Sequence, residues 1–88
     1  MPTLNILAQS WVHQPAFIVG DRLGLIALQA AITDALDDDR GRALVFSTDG
    51  EGYGVMVFLR NEMAHVPLGY TDEEFRHRGK YPDWMRET

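Results

Sequence analysis

Three glycines at alternate positions, Gly50, Gly52 and Gly54, stand in "STDGEGYGVMVF" (47–58), immediately before an apolar run. They are the first residues whose spacing could do chemistry, because glycine-rich loops cradle phosphates. A Walker-type loop, however, needs G-x-x-x-x-G-K-[ST] and a lysine reaching the phosphates, and Lys80 is the only lysine of the chain. A dinucleotide fingerprint runs G-x-G-x-x-G from strand into helix, whereas this spacing lies between two strand-like segments. Asp49 and Glu51 would also repel an anion. Asp49-Gly50 is instead the preferred pair of a two-residue type I′ hairpin turn. Gly52 and Gly54 then leave room for a bulge or a close approach.

The other reactive side chains converge poorly. His13, His65 and His77 are widely separated and form neither H-x-x-x-H nor H-E-x-x-H. With no cysteine, thiolate zinc sites and disulfides are excluded. Ser10 near His13 is the only sequence proximity of a hydroxyl and an imidazole, and no G-x-S-x-G elbow is present. The acids "DDDR" and "TDEE" are runs on one surface, not carboxylates placed in different environments across a cleft. These observations predict a protein that is not an enzyme and binds no cofactor or metal.

The net charge of −5 comes from 13 acidic and eight basic side chains, which argues against affinity for nucleic-acid backbones. It permits a basic protein partner without requiring one. No apolar run approaches the roughly 20 residues that span a bilayer. The opening "MPTLNILAQSW" has no basic region or cleavage pattern of a signal peptide. With the missing cysteines, this predicts a cytoplasmic protein with no membrane contact. Eighty-eight residues predict one domain, 1–88, with residues 76–88 as a tail that docks through Tyr81 and Trp84 or stays mobile.

The elements that position these groups follow from periodicity. "TLNILAQ" (3–9) alternates as a first strand, "SWVHQP" interrupts at Pro15, and "AFIVG" (16–20) is a second strand. Residues 22–38 form a helix with Asp21 as N-cap; Leu25, Leu28, Ile32, Ala35 and Leu36 fall on one stripe, and Gly41 supplies the stop. Leu23, Ile26, Ala27 and Ala30 lie outside that stripe, so the helix is apolar around most of its circumference. Either the N-terminal segment or the aromatic tail folds over the uncovered flank, or a homodimer forms through the helix, or another partner covers it. "RALVFSTD" and "EGYGVMVFLR" are two further strands, "VPLGY" an edge strand and "TDEEF" a capped turn. The expected fold is α+β in ββαββ order: an antiparallel sheet of three to five strands with one long helix packed on a face.

Asp37, Asp38 and Asp39 sit where the helix dipole disfavours anions by about 0.3–1 kcal/mol each. They are either a negative docking patch or a solvated helix end. Taken together, "SWVHQPAFIVGDRLGLIALQAAITDAL", "VFSTDGEGYGVMVF" and "VPLGYTDE" resemble a family of small bacterial proteins with a D-G-E-G-Y hairpin. Some of its members resemble the immunity proteins of polymorphic toxin systems. The resemblance spans about residues 10–73 and implies a protein that neutralises a partner by binding it. The candidate contact residues are Trp11, His13, Asp37, Asp38, Asp39, Asp49, Glu51 and Tyr53, aromatic anchors flanked by charge. Two other readings stand beside it: a phage-borne inhibitor that mimics phosphates with its acids, and a small ligand-binding domain or enzyme using His13, Asp49 and Tyr53.

Overall fold

The computed structural model describes residues 1–64, 66, 68 and 83–85. The elements run β1 (Leu4–Leu7), β2 (Phe17–Gly20), α1 (Arg22–Asp38), β3 (Arg40–Phe46) and β4 (Gly52–Phe58), followed by a 3₁₀ turn at Asp83–Met85. This is the α+β class in ββαββ order. The strands pair as two antiparallel ladders, β1 with β2 and β3 with β4. Two compact units are present: residues 1–6 with 18–60, and residues 7–17 with those described from 61 onward.

In the first unit, the two ladders meet at a single parallel bridge between Thr3 and Phe46, where the Phe46 amide donates to the Pro2 carbonyl at 2.9 Å. Beyond it the Asn5 side chain takes over from the backbone. Its Oδ1 accepts from the Thr48 amide at 3.1 Å, and its Nδ2 donates to the Thr48 hydroxyl at 3.2 Å. A side-chain amide thus satisfies groups that a longer ladder would have paired, and the sheet is split instead of continuous.

Helix α1 begins as its sequence dictates. Asp21, in extended backbone, accepts from the Gly24 amide at 2.7 Å, and the same oxygen accepts from the Thr3 amide at 3.0 Å. These backbone donors, Gly24 first, hold the Asp21 carboxyl below the usual carboxylate value. The cap therefore also pins the N-terminal strand. The end of the helix differs from expectation: Asp39, not Gly41, is the C-cap, at φ 74°, with its amide on the Ala35 carbonyl. Asp39 then returns its own carbonyl to the Leu59 amide at 2.9 Å, which closes the base of the β3–β4 ladder.

Gly41 is buried inside β3, and its role is close approach. A Cβ there would stand 1.9 Å from the Ala31 carbonyl oxygen. Gly24 meets the Thr3 carbonyl in the same way, at 2.0 Å. The helix thus docks on the strands by its small side chains. Gly24, Ala31 and Ala35 are its buried residues, Gly24 against Thr3 and Ala31 against Gly41, and Gly41, Ala43 and Val45 are the buried residues of β3. Leu4, Ala31, Ala43 and Val45 form the core, with Leu28, Tyr53, Val55 and Val57 packed against it.

The large apolar stripe foreseen as core is corrected by this geometry. Leu25 is 45 % exposed, Ile32 44 % and Leu36 65 %, and of that stripe only Ala35 is buried and Leu28 partly so. A helix lowered onto strands until backbone meets backbone has no space beneath it for leucine. Its large residues are rotated outward.

Candidate functional site

The hairpin between β3 and β4 is the first candidate. Gly52 pairs with Phe46, and the Ser47 amide donates to the Glu51 carbonyl, so the loop proper is Thr48-Asp49-Gly50. The Gly50 amide closes the turn on the Ser47 carbonyl at 2.9 Å, and Gly50 has φ 89° while Asp49 does not have positive φ. The expected two-residue I′ turn is therefore replaced by a type I turn followed by a left-handed glycine, the usual three-residue hairpin. The reason lies in Asp49. Its Oδ1 accepts a short hydrogen bond from the Ser47 hydroxyl and a second from the Glu51 amide at 3.3 Å, which draws it into the turn. These donors, the Ser47 hydroxyl first, hold its carboxyl below the usual value.

Tyr53 does not stand beside these acids. It shares the inward face with Val55 and Val57, is half-buried, and donates its hydroxyl to the Leu4 carbonyl at 2.5 Å. The Asp49 carboxylate is thus engaged within the turn and the Tyr53 hydroxyl against β1. Glu51 is exposed beside the turn. Gly52 serves the Phe46 ring, which a Cβ at that position would meet at 3.2 Å.

On the outer face of the ladder, Arg40 lies over the Phe58 ring of its cross-strand partner, 5.2 Å from the centroid. Arg42 is paired with Met56 and exposed Leu44 with Gly54. The alternation of exposed Arg40 and Arg42 with buried Gly41 and Ala43 carries the signal for this face.

The second unit holds the other aromatic candidate. In the β1–β2 connection the Gln14 amide donates to the Trp11 carbonyl at 3.1 Å, closing a turn with Val12 and His13 at its centre. Gln9 Nε2 donates to the same carbonyl at 3.3 Å and to the Gln14 carbonyl at 3.4 Å. His13 takes φ 66°, the left-handed region that a non-glycine residue enters at a cost. Trp11 is 67 % exposed, and Val12 and His13 are exposed with it. A tryptophan is thus presented to solvent on a turn whose shape is held by a side chain from outside it.

Asp37, Asp38 and Asp39 are exposed at the end of α1, as placed by the sequence. The feature that sequence reasoning missed is the seam beside them, in which Arg22, Leu25, Gln29, Ile32 and Leu36 are all exposed. Its signal was a second stripe of small residues, Gly24, Ala27, Ala31 and Ala35, matching the small residues Gly41 and Ala43 of β3. His65, His77, "TDEEF", Tyr81 and all but Val66 and Leu68 of "VPLGY" lie outside the described residues, while Trp84 is half-buried. Among the described residues no group of three His, Asp or Glu could hold a metal, and no helix is long and apolar enough to cross a membrane.

An α+β fold, with an exposed tryptophan on a turn of one unit and an apolar helical seam on the other, is what the described residues define. No protein-family model, curated protein or solved structure matches the chain.

Proposed function

We propose that this protein is a cytoplasmic, non-enzymatic binding module of the inhibitor or immunity type, which neutralises one protein partner by stoichiometric occlusion. The observation that carries the reading is Trp11, two-thirds exposed on a turn fixed by Gln9 and Gln14 with His13 in left-handed backbone. A tryptophan carried on a backbone turn already held by hydrogen bonds has less backbone entropy to lose on binding, and exposed tryptophans are among the residues that dominate interface energetics. Backbone held in a sparsely populated region is often associated with recognition. The charge of −5 steers the module toward a basic partner.

The test uses the full chain as bait in the source cells, followed by calorimetry with the recovered protein. The reading expects one-to-one binding that weakens by about 30-fold or more in Trp11→Ala, the loss typical of a hot-spot anchor. It also expects the circular dichroism spectrum and melting of that variant to stay as in the wild type. Wild-type affinity in Trp11→Ala, or failure to recover any stoichiometric protein, refutes the proposal.

A further inference from the structure

We infer that the exposed face of α1 is the contact surface for a second copy of this chain, packed antiparallel across a two-fold axis at Gln29. The inference is independent of the function proposed above, which rests on the β1–β2 turn.

Spacing is the first argument. Arg22, Leu25, Gln29, Ile32 and Leu36 follow one another at intervals of three, four, three and four residues, the seam of a paired helix. All five are exposed, because the helix meets β3 through its small residues. The seam runs about 21 Å at 1.5 Å per residue. Its midpoint is Gln29, with Arg22 seven residues before and Leu36 seven after. An antiparallel pair centred there brings Leu25 of one copy to within one residue, about 1.5 Å along the axis, of the level of Ile32 of the other, and the two Gln29 amides face each other. Each amide can donate and accept, so the pair is self-complementary across the axis. A single polar residue inside an apolar seam fixes register in this way.

Charge is the second argument, and it chooses the direction. α1 has no acid in its first turn and no base in its last. Arg22 opens it and Asp37 and Asp38 close it, the reverse of what its own dipole favours. In the antiparallel register, Arg22 of one copy lies against Leu36 and beside Asp37 of the other, at the carbonyl end of that helix. Both unfavourable ends are thereby compensated, twice per dimer. A parallel pair would stack like charges and gain nothing.

A one-helix contact lies at the small end of interfaces, so the dimer is expected to dissociate at about 10–100 µM. Sedimentation equilibrium of the full chain should show that concentration dependence. Leu36→Glu should weaken association about 100-fold. Arg22→Asp should weaken it about five- to thirty-fold, and Asp37→Arg added to Arg22→Asp should restore it. Direction is read by cross-linking, since the chain has no cysteine. Oxidation should join Gln29→Cys into a covalent dimer and leave Arg22→Cys single. Far-UV dichroism checks that each variant is folded. A monomer at about 0.5 mM, a dimer indifferent to Leu36→Glu, or equal cross-linking by both cysteine variants overturns the proposal. The first would mean that another segment of the chain or another protein covers the seam.

Discussion

Gly41→Ala tests the packing on which the whole reading depends. One methyl group is added, and its ideal position is 1.9 Å from the Ala31 carbonyl oxygen, 2.8 Å from its carbon and 3.0 Å from its Cα. All three atoms are backbone, so no rotamer change relieves the contact. Bringing the nearest pair to an ordinary separation requires the helix to retreat from β3 by about 1.5 Å. At that gap the facing atoms of Ala31, Ala35, Ala43 and Val45 lose much of their dispersion energy. Overpacking in a tight core costs about 1–3 kcal/mol, and the absence of a flexible neighbour puts this case at or above the upper end. Set against a total stability of about 4–13 kcal/mol for a chain this size, that is a large share. The expected fall in melting temperature is about 10–20 °C. A thermal melt followed by far-UV dichroism measures that fall, and urea denaturation measures the free-energy cost. Gly50→Ala is the control: its φ of 89° makes alanine unfavourable, yet nothing lies within 4 Å of the added carbon. Its expected cost is about 1 kcal/mol. A Gly41→Ala protein no less stable than Gly50→Ala would show that helix and strand do not meet in this way.

Two further outcomes follow from the polar contacts. Tyr53→Phe removes the hydroxyl that half-buried Tyr53 donates to the carbonyl of fully buried Leu4. It should cost about 1–2 kcal/mol in urea denaturation, and an unchanged midpoint would place the hydroxyl elsewhere. Asp21 has its folded-state carboxyl held below the usual 3.8 by the Gly24 and Thr3 amides. Its stabilisation is therefore present above that value and is lost as pH falls through it toward the lower folded one. The stability advantage of the wild type over Asp21→Asn should shrink below about pH 4; a difference independent of pH would remove the ionised cap from the account.

Much of the local structure was legible because its causes are local. Asp21 caps α1 whatever packs beside it, whereas β3 and β4 carry apolar residues on both faces, so alternation alone left their inner face open until Ala43 and Val45 were seen buried and Leu44 exposed. Burial of the helix was not legible, because two stripes run along it and only the partner surface chooses between them. Gly41 and Ala43 made that choice in favour of Ala31 and Ala35, and Thr3 in favour of Gly24. The same ambiguity affected Gly41, which serves equally as a helix stop and as a gap for a backbone. Asp49-Gly50 fits both two-residue and three-residue hairpins, and the pairing of Phe46 with Gly52 decided it. For the candidate site, Tyr53 could have been assigned inward, since it keeps the parity of Val55 and Val57. The exposure of Trp11 depended on the β1–β2 turn, whose shape is set by Gln9, a residue that no motif marks.

The helix poses the remaining question: why it forms with its charges reversed. Its interior carries Gly24, and neither end has the charge its dipole favours. Within one chain two things offset this, the Asp21 cap and the docking of the small-residue face on β3. Neither buries Leu25, Ile32 or Leu36, which stay exposed. Close packing by small residues gives contact but removes little apolar area per residue, since alanine has little to bury. The area that would contribute most is on the seam, still in water. Association in the antiparallel sense would remove that area and place Arg22 where Asp37 ends the other helix. What is unfavourable for the helix alone becomes favourable for two, and stability is then tied to concentration. A melting temperature that rises with protein concentration in the wild type, and not in Leu36→Glu, is the thermodynamic form of that link.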